Sequence, residues 1–131
     1  MFNISKDEQE IHMMNPLVWA YIGDSIYEIY IKQSLIEKTD HKPHKLHVLT
    51  SKVVNAKTQS ETLDKIEKYL TEEEKDIVRR GRNAKNYHVP KSASIEEYAK
   101  STAFEALIGY LYLTQKFDRL KEILKYTEEN I

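Results

Sequence analysis

The sequence predicts an all-α fold, and three observations support that prediction. Apolar residues recur three and four positions apart over most of the chain, which is the period of an amphipathic helix. No segment shows the sustained alternation of apolar and polar residues that half-buried strands need. Helix start signals stand at Asn15, Thr71 and Ser94, and they divide the chain into helices of ordinary length.

Composition limits the classes of protein to consider. A chain of 131 residues with 40% hydrophobic content can form one compact core, and we expect an N-terminal arm over residues 1–14 and a single domain over residues 15–131. The sequence has no cysteine, which excludes disulfides, thiolate zinc sites and a cysteine nucleophile. The first residues form neither a basic leader nor a long apolar segment, so we expect a cytoplasmic protein without a membrane span.

The first half of the chain contains a long helix and a second helical region. Asn15 can cap a helix that begins at Pro16, because asparagine accepts from free backbone N–H groups and proline suits the first helical position. The apolar pattern carries this helix to about Glu37, and residues 38–42 are predicted to form a loop. The pattern then continues over residues 43–70 and leaves open whether one helix or two forms there.

The second half repeats one kind of helix start. Thr-Glu-Glu-Glu at 71–74 and Ser-Ile-Glu-Glu at 94–97 both have the form of a capping box, in which the first and fourth residues satisfy each other's backbone N–H groups. The first of these helices should end near Gly81, since glycine favours helix ends. Residues 83–92 contain a proline and no apolar period and are predicted to form a loop, and Phe117 should begin the last helix.

Two acidic residues lie inside helices that are otherwise apolar, and both are expected to be buried. Asp24 follows Gly23 in the first long helix, and Glu105 precedes Gly109 by four residues in the helix that begins after Ser94. Glycine weakens a helix interior by about 1 kcal/mol relative to alanine, so a close helix crossing is the simplest reason for both glycines. If the two glycine patches cross, the carboxylates converge, and such a pair needs a cation of the Mg²⁺ or Mn²⁺ type.

Asp24 and Glu105 could instead have partners that are not metals. An acid in an apolar helix can be paired with a buried arginine, a tyrosine or a backbone group. Glu28 lies one turn after Asp24 and shares its helix face, so it is a further candidate. His41, His44 and His47 have a spacing of three, but no HExxH pattern supports zinc, and a surface or phosphate-facing role is favoured.

Basic residues cluster in two segments although the formal net charge is only −1. Residues 77–95 contain no acid, and residues 38–57 form a weaker basic segment that only Asp40 interrupts. These segments could contact the phosphates and sugars of a nucleic acid, or they could be solvated helix ends whose cations complement the helix dipole. The candidate nucleic-acid contacts are Arg79, Arg80, Arg82, Asn83, Lys85, Asn86, Lys42 and Lys45.

Three motifs occur in an order and at separations that point to a known family. They are Ala-Tyr-Ile-Gly-Asp-Ser-Ile at 20–26, Arg-Gly-Arg-Asn-Ala-Lys at 80–85 and Ser-Thr-Ala-Phe-Glu-Ala-Leu-Ile-Gly-Tyr at 101–110. With these motifs the chain closely resembles mini-ribonuclease III, the stand-alone, dimeric branch of the ribonuclease III nucleases. The resemblance extends over nearly the whole chain from Asn15 to Leu113.

The resemblance implies a fold, an activity and a site. It implies a ribonuclease III endonuclease-domain-like helical fold that cuts double-stranded RNA with Mg²⁺, leaves 5′-phosphate and 3′-hydroxyl ends, and matures ribosomal RNA precursors. Asp24 matches the family's essential aspartate and Glu105 its metal-binding glutamate, so both are the expected catalytic and metal-binding residues. Larger members carry acids where Ala20 and Thr102 stand here, so the number of metal ions per site is open. No double-stranded-RNA-binding domain is expected.

The resemblance and the symmetry of the substrate both favour a homodimer. An RNA duplex has antiparallel strands related by an approximate dyad, so two sites with C2 symmetry can each take one strand. The apolar helix around Trp19, Ile22 and Ile26 is the expected interface, because it has more apolar surface than one core face needs. A ribosomal protein that presents the RNA is a further candidate partner. The alternative function is a non-catalytic helical dimer that binds structured RNA or a ribosomal protein, and a third is a module that binds only proteins.

Overall fold

The computed structural model describes residues 2–85 and 89–128, and within them the chain forms helices and no strand. The predicted all-α fold class is confirmed. A 3₁₀ turn over Glu67–Tyr69 joins two of the helices. The α-helices are α1 Glu8–His12, α2 Pro16–Lys38, α3 Pro43–Val53, α4 Ala56–Ile66, α5 Glu72–Asn83, α6 Ile95–Leu113 and α7 Phe117–Glu128.

Side-chain caps fix the predicted starts of three helices. The Asn15 side chain accepts a hydrogen bond from the Leu17 N–H at 3.0 Å, and Pro16 is the first residue of α2. Thr71 and Ser94 each form the predicted capping box with the glutamate three residues later. A capping interaction is worth about 1 kcal/mol, so these residues set where the helices begin.

The region 43–70 contains two α-helices, an outcome that the apolar pattern leaves open. The break lies at Val54 and Asn55, and the Asn55 side chain accepts from the Thr58 N–H at 2.9 Å as the N-cap of α4. The Asn55 amide also donates to the Ser51 carbonyl at 3.1 Å and so links α4 to the end of α3. Because the cap starts a new helix, α4 can pack on α6 independently of α3.

Helix α6 is the centre of the molecule. It packs against α2, α5 and α4, and most of its residues from Ser101 to Tyr112 are buried. The larger core cluster lies between α2, α4, α6 and α7 and includes Tyr27, Phe104 and Leu107. Functional side chains on α6 are therefore held by packing on several sides. None of the helices in the described part of the chain is long and apolar enough to cross a membrane.

Helices α2 and α6 cross at two glycines, as predicted. A Cβ added to Gly23 would lie 1.8 Å from the carbonyl oxygen of Glu105, and one added to Gly109 would lie 1.8 Å from the carbonyl oxygen of Trp19. A Cβ cannot approach a backbone oxygen so closely, so only glycine permits this crossing. The crossing holds Asp24, the residue after Gly23, beside the turn of α6 that carries Glu105.

Helix α5 ends near Gly81, as predicted, but Gly81 itself does not end it. Helix α5 continues to Asn83. A Cβ at Gly81 would lie 2.8 Å from the Cβ of Ala106 and 3.0 Å from the Cα of Ala103. Gly81 therefore allows α5 to lie close against α6. The requirement for glycine comes from this contact between helices, which the local sequence does not reveal.

The N-terminal arm contains the short helix α1 and is docked on the rest of the chain. Ile11 is fully buried, and its carbonyl accepts from the Trp19 indole N–H at 2.8 Å. Lys116, just before α7, lies 2.7 Å from the Glu8 carboxylate of α1 and 3.0 Å from the Glu73 carboxylate of α5. The arm therefore contributes to the core around Trp19.

Candidate active site

Asp24 of α2 and Glu105 of α6 are brought together by the glycine crossing, although they are far apart in the chain. Their carboxyl groups are close enough to share a hydrogen bond. Asp24 is exposed and Glu105 is half-buried. The expectation that both acids are buried is therefore wrong for Asp24, whose side chain stays exposed although it meets Glu105 of α6. The pair is open to solvent through Asp24.

The carboxyl of Glu105 holds its proton unusually tightly. Its pKa is raised from 4.5 to about 9, first by burial and then by the hydrogen bond and the negative charge of Asp24. At neutral pH the Glu105 carboxyl therefore stays protonated and donates to Asp24. A cation between the two groups would replace this proton and offset the repulsion between two carboxylates.

Two carboxylates are the charged donors that this site offers to a cation. Within residues 2–85 and 89–128, no group of three or more His, Cys, Asp or Glu side chains is arranged to hold a metal. Carboxylate oxygens suit Mg²⁺ or Mn²⁺, and Mg²⁺ commonly keeps several waters and takes only one or two protein carboxylates. The donor set therefore fits a weakly held ion whose coordination is completed by water and substrate oxygens.

The other acidic and histidine candidates lie outside this pair. Glu28 is half-buried, and its carboxylate lies 3.7 Å from Lys32 Nζ in an exposed pair along α2. His41, His44 and His47 are exposed at and just before the start of α3. Their surroundings are those of a solvated surface.

Two arginines of α5 are exposed, and each makes a surface ion pair. Arg79 lies 2.5 Å from Asp76, one turn earlier on the same helix. Arg82 lies 3.3 Å from Glu96 at the start of α6. Exposed pairs of this kind contribute about 0–1 kcal/mol, so both guanidinium groups can exchange their partners for phosphate oxygens at little cost.

Arg80 lies on a different side of α5 and contacts the core. Its guanidinium carbon is 4.6 Å from the centre of the Trp19 ring. The guanidinium also lies 3.4 Å from His12 Nε2 and 3.5 Å from the Met14 carbonyl oxygen, so Arg80 joins α5 to the N-terminal arm. Its predicted contact with nucleic acid stays a prediction.

The remaining basic and amide candidates lie near helix ends. Lys42 directly precedes α3 and Lys45 lies in its first turn, and both are exposed. Asn83 is the exposed last residue of α5, and Lys85 is exposed just beyond it. Asn86 lies outside the described residues.

The predicted interface residues lie largely inside the molecule. Trp19 is fully buried and Ile26 is buried, while Ile22 is half-buried. The prediction is therefore wrong for Trp19 and Ile26, because α1 and α6 cover the side of α2 that carries them. The large apolar side chains that α2 exposes are Val18, Tyr21, Ile29 and Ile36.

One polar contact near the acid pair is not predicted from the sequence. Gln59 of α4 is only 1% exposed, and its side-chain oxygen accepts from the Ser101 hydroxyl at 2.6 Å. Ser101 lies one turn before Glu105 on α6. The sequence does carry one indication of this contact. Gln59 stands four residues before Leu63, on the apolar face of α4, where a polar residue is unexpected.

Known proteins resemble this chain over most of its length. A family model described as Ribonuclease III domain matches residues 17–116. A protein named Mini-ribonuclease 3 from Thermoanaerobacter sp. (strain X514) is 46% identical over 118 residues, which cover 90% of this chain and 83% of that protein. A protein of the same name from Clostridium tetani is 48% identical over 119 residues, covering 90% of this chain and 79% of that protein.

The fold also matches a solved structure. The crystal structure of a protein from Fusobacterium nucleatum superposes with a TM-score of 0.81 at 33% sequence identity. The match covers 92% of this chain and 97% of that chain. The similarity in sequence and the similarity in fold each extend over about nine tenths of this chain.

Proposed function

Since the chain belongs to the ribonuclease III family and is an endoribonuclease that acts on double-stranded RNA, we propose that it cleaves with Mg²⁺ or Mn²⁺ held between Asp24 and Glu105. The contact between these two carboxyl groups is the observation that carries the proposal. We also propose that its substrate is a ribosomal RNA precursor and that it acts in the cytoplasm. The motif resemblance to mini-ribonuclease III supports this choice of substrate.

The residues of the site prepare it for hydrolysis of a phosphodiester. When bound, a divalent cation supplies a Lewis acid that stabilises charge on phosphoryl oxygens and lowers the pKa of coordinated water. Asp24 presents an exposed carboxylate, and Glu105 gives up the proton that it shares with Asp24. Because the pair is open to solvent, this proton can leave without any change of fold. In-line attack of water on phosphorus would leave a 5′-phosphate and a 3′-hydroxyl.

Exposed cations at two places support binding of an RNA backbone. Lys42 and Lys45 are exposed at the start of α3, and Arg82 and Lys85 are exposed at the end of α5. A-form RNA is recognised mainly through its shape, its phosphates and its 2′-hydroxyls. We therefore expect salt-dependent binding with little base specificity.

The exposed apolar face of α2 supports the proposed homodimer. Val18, Tyr21 and Ile29 are 45%, 81% and 45% exposed, and they lie on one side of the helix. A groove of about 520 Å³ between α2 and α7, lined in part by Ile29 and Phe117, adjoins this face. A two-fold interface here would place the two Asp24 sites on one surface, one for each strand of the duplex.

The proposed cleavage is tested with the purified chain and a duplex RNA, in Mg²⁺ and in EDTA. Wild type should cut only with the metal. Asp24→Asn should keep thermal stability and RNA binding, and its cleavage rate should fall about 10²–10³-fold, because the site loses the charge that holds the ion. Glu28→Gln, a matched change one turn along the same helix, should cut at close to the wild-type rate.

Two results would count against this proposal. Cleavage by wild type in EDTA would remove the metal from the chemistry. A near-normal rate for Asp24→Asn would remove the acid pair. RNA that is retained but never cut, with or without metal, would favour the non-catalytic dimer.

A further inference from the structure

Gln59 is an amide side chain buried between α4 and α6. It is 1% exposed, although glutamine is mostly a surface residue. Its Oε1 accepts from the Ser101 hydroxyl at 2.6 Å, which makes a polar link between the two helices. Its Nε2 is buried and meets no hydrogen-bond acceptor among residues 2–85 and 89–128.

The link lies next to the acid pair. Ser101 and Glu105 are four residues apart on α6, so their side chains lie one above the other on the same face. Glu105 in turn contacts Asp24 of α2. Gln59 of α4 therefore holds the turn of α6 that immediately precedes the turn presenting Glu105.

Gln59 is a poor choice for stability alone. A buried N–H without an acceptor costs free energy, whereas apolar side chains at both positions 59 and 101 would fill the same space without that cost. Another polar link, between Asp64 and Lys100 at 2.5 Å, already joins α4 to α6. A residue that breaks a local packing rule in this way is expected where function requires it.

We propose that Gln59 is a positioning residue for Glu105, acting through Ser101. The hydrogen bond from the Ser101 hydroxyl fixes how α6 sits against α4 and so sets the distance between the carboxyl groups of Glu105 and Asp24. This inference rests on the proposed metal-dependent cleavage. It adds a third helix, α4, to the two that carry the acids.

The test compares Gln59→Met, Ser101→Ala and the double variant with wild type. Methionine has a similar length and removes the unmatched Nε2, but it also removes the acceptor of the Ser101 hydroxyl, so Gln59→Met should unfold close to the wild-type temperature. Its cleavage rate should nevertheless fall about tenfold, and the Mg²⁺ concentration for half-maximal rate should rise several-fold. Because both residues act through one hydrogen bond, the double variant should lose no more than the larger single loss.

Asp64→Asn is the matched control, because it removes the other polar link between α4 and α6. It should keep the wild-type rate and Mg²⁺ dependence. A second readout needs no activity: in metal-free protein at one fixed pH, the ¹³C resonance of the Glu105 carboxyl should move in Gln59→Met and Ser101→Ala and stay in place in Asp64→Asn.

The inference fails if Gln59→Met keeps the wild-type Mg²⁺ dependence and the wild-type Glu105 resonance. It also fails if Asp64→Asn shows the same losses, because any change at the α4–α6 contact would then have that effect. If Gln59→Met does not fold, Ser101→Ala decides by the same criteria. If wild type does not cleave RNA at all, the proposed function fails, while the Glu105 resonance still decides the positioning role.

Discussion

The proton on Glu105 controls how readily the acid pair can bind a cation. Burial and the neighbouring Asp24 raise the pKa of Glu105 to about 9, so an incoming cation must displace a proton at neutral pH. Metal binding should therefore become easier as the pH rises towards 9. A site with only two carboxylates and a bound proton is suited to an ion that arrives with the substrate and leaves with the product.

Binding of this proton makes the free energy of unfolding in EDTA depend on pH. The pKa of Glu105 is 4.5 in the unfolded chain and about 9 in the folded one, so the folded state binds the extra proton between these values. Its contribution to the free energy of unfolding is fully present below about pH 4.5 and is lost as the pH rises towards about 9. Urea unfolding at several pH values measures it as the difference between wild type and Glu105→Gln.

The difference in the free energy of unfolding between wild type and Glu105→Gln should fall steadily from about pH 5 to about pH 9. Saturating Mg²⁺ should reduce the pH dependence, because the ion stabilises the deprotonated pair. A difference that stays constant over this range would show that Glu105 is an ordinary ionised carboxylate.

Among the helices, α2 and α6 determine the site because their backbones touch. The contact is made by two glycines, and the acids lie on the same turns as these glycines or on adjacent ones. The interhelical distance therefore sets the distance between the acids directly. Gly81 also brings α5 against α6, at Ala103 and Ala106, so α6 makes close contacts with two helices.

Gly109→Ala tests this crossing. The new Cβ would lie 1.8 Å from the Trp19 carbonyl oxygen, so the helices must separate, and the free energy of unfolding should fall by about 1–3 kcal/mol or more. Ser25→Ala, on the exposed side of α2, should change it by no more than about 0.5 kcal/mol. Denaturant unfolding of both variants makes the comparison, and equal stabilities would mean that the crossing is loose.

The arginines of α5 give a second test at the level of one helix. Arg80→Ala should lower the free energy of unfolding by about 1 kcal/mol, because it removes the cation from the Trp19 ring. Arg82→Ala should leave stability unchanged, weaken RNA binding for all sequences, and lower the slope of log K against log salt by about 1. Thermal unfolding and RNA binding at several salt concentrations separate the two roles. If Arg80→Ala and Arg82→Ala change stability and RNA binding to the same extent, the two arginines do not have these separate roles.

For the whole molecule, the exposed face of α2 is the surface through which the proposed homodimer would form. Tyr21 is the most exposed apolar side chain on that helix, and it lies one turn from Asp24. Large exposed apolar side chains on one side of a helix mark an interaction surface more often than a free surface. An interface there would couple assembly to catalysis, since both use the same helix.

If the proposed homodimer forms through this face, Tyr21→Glu should convert it into a monomer without unfolding it. Sedimentation velocity measures the mass, and circular dichroism checks that the helices remain. Ile95→Glu is the matched control, because Ile95 is also exposed, at 77%, but lies at the start of α6. It should leave the mass unchanged. A wild-type monomer, or a Tyr21→Glu dimer, would refute the proposed interface.

Sequence alone determines the all-α class and several of the helix starts. The caps at Asn15, Thr71 and Ser94 involve residues two or three positions apart, so their hydrogen bonds follow from local order. The glycines and acids of the two central helices are also recognisable, because a glycine and a charge are both unfavourable inside an apolar helix. These local penalties point correctly to the crossing between α2 and α6.

Only the tertiary structure decides which side of each helix is covered. The burial of Trp19, the packing of Gly81 and the direction of Arg80 depend on contacts between residues that are distant in the sequence. The link between Gln59 and Ser101 is of the same kind. Helical periodicity shows that a residue faces inward or outward but does not name the neighbour that it meets, because packing between helices is set by the shapes of both surfaces together.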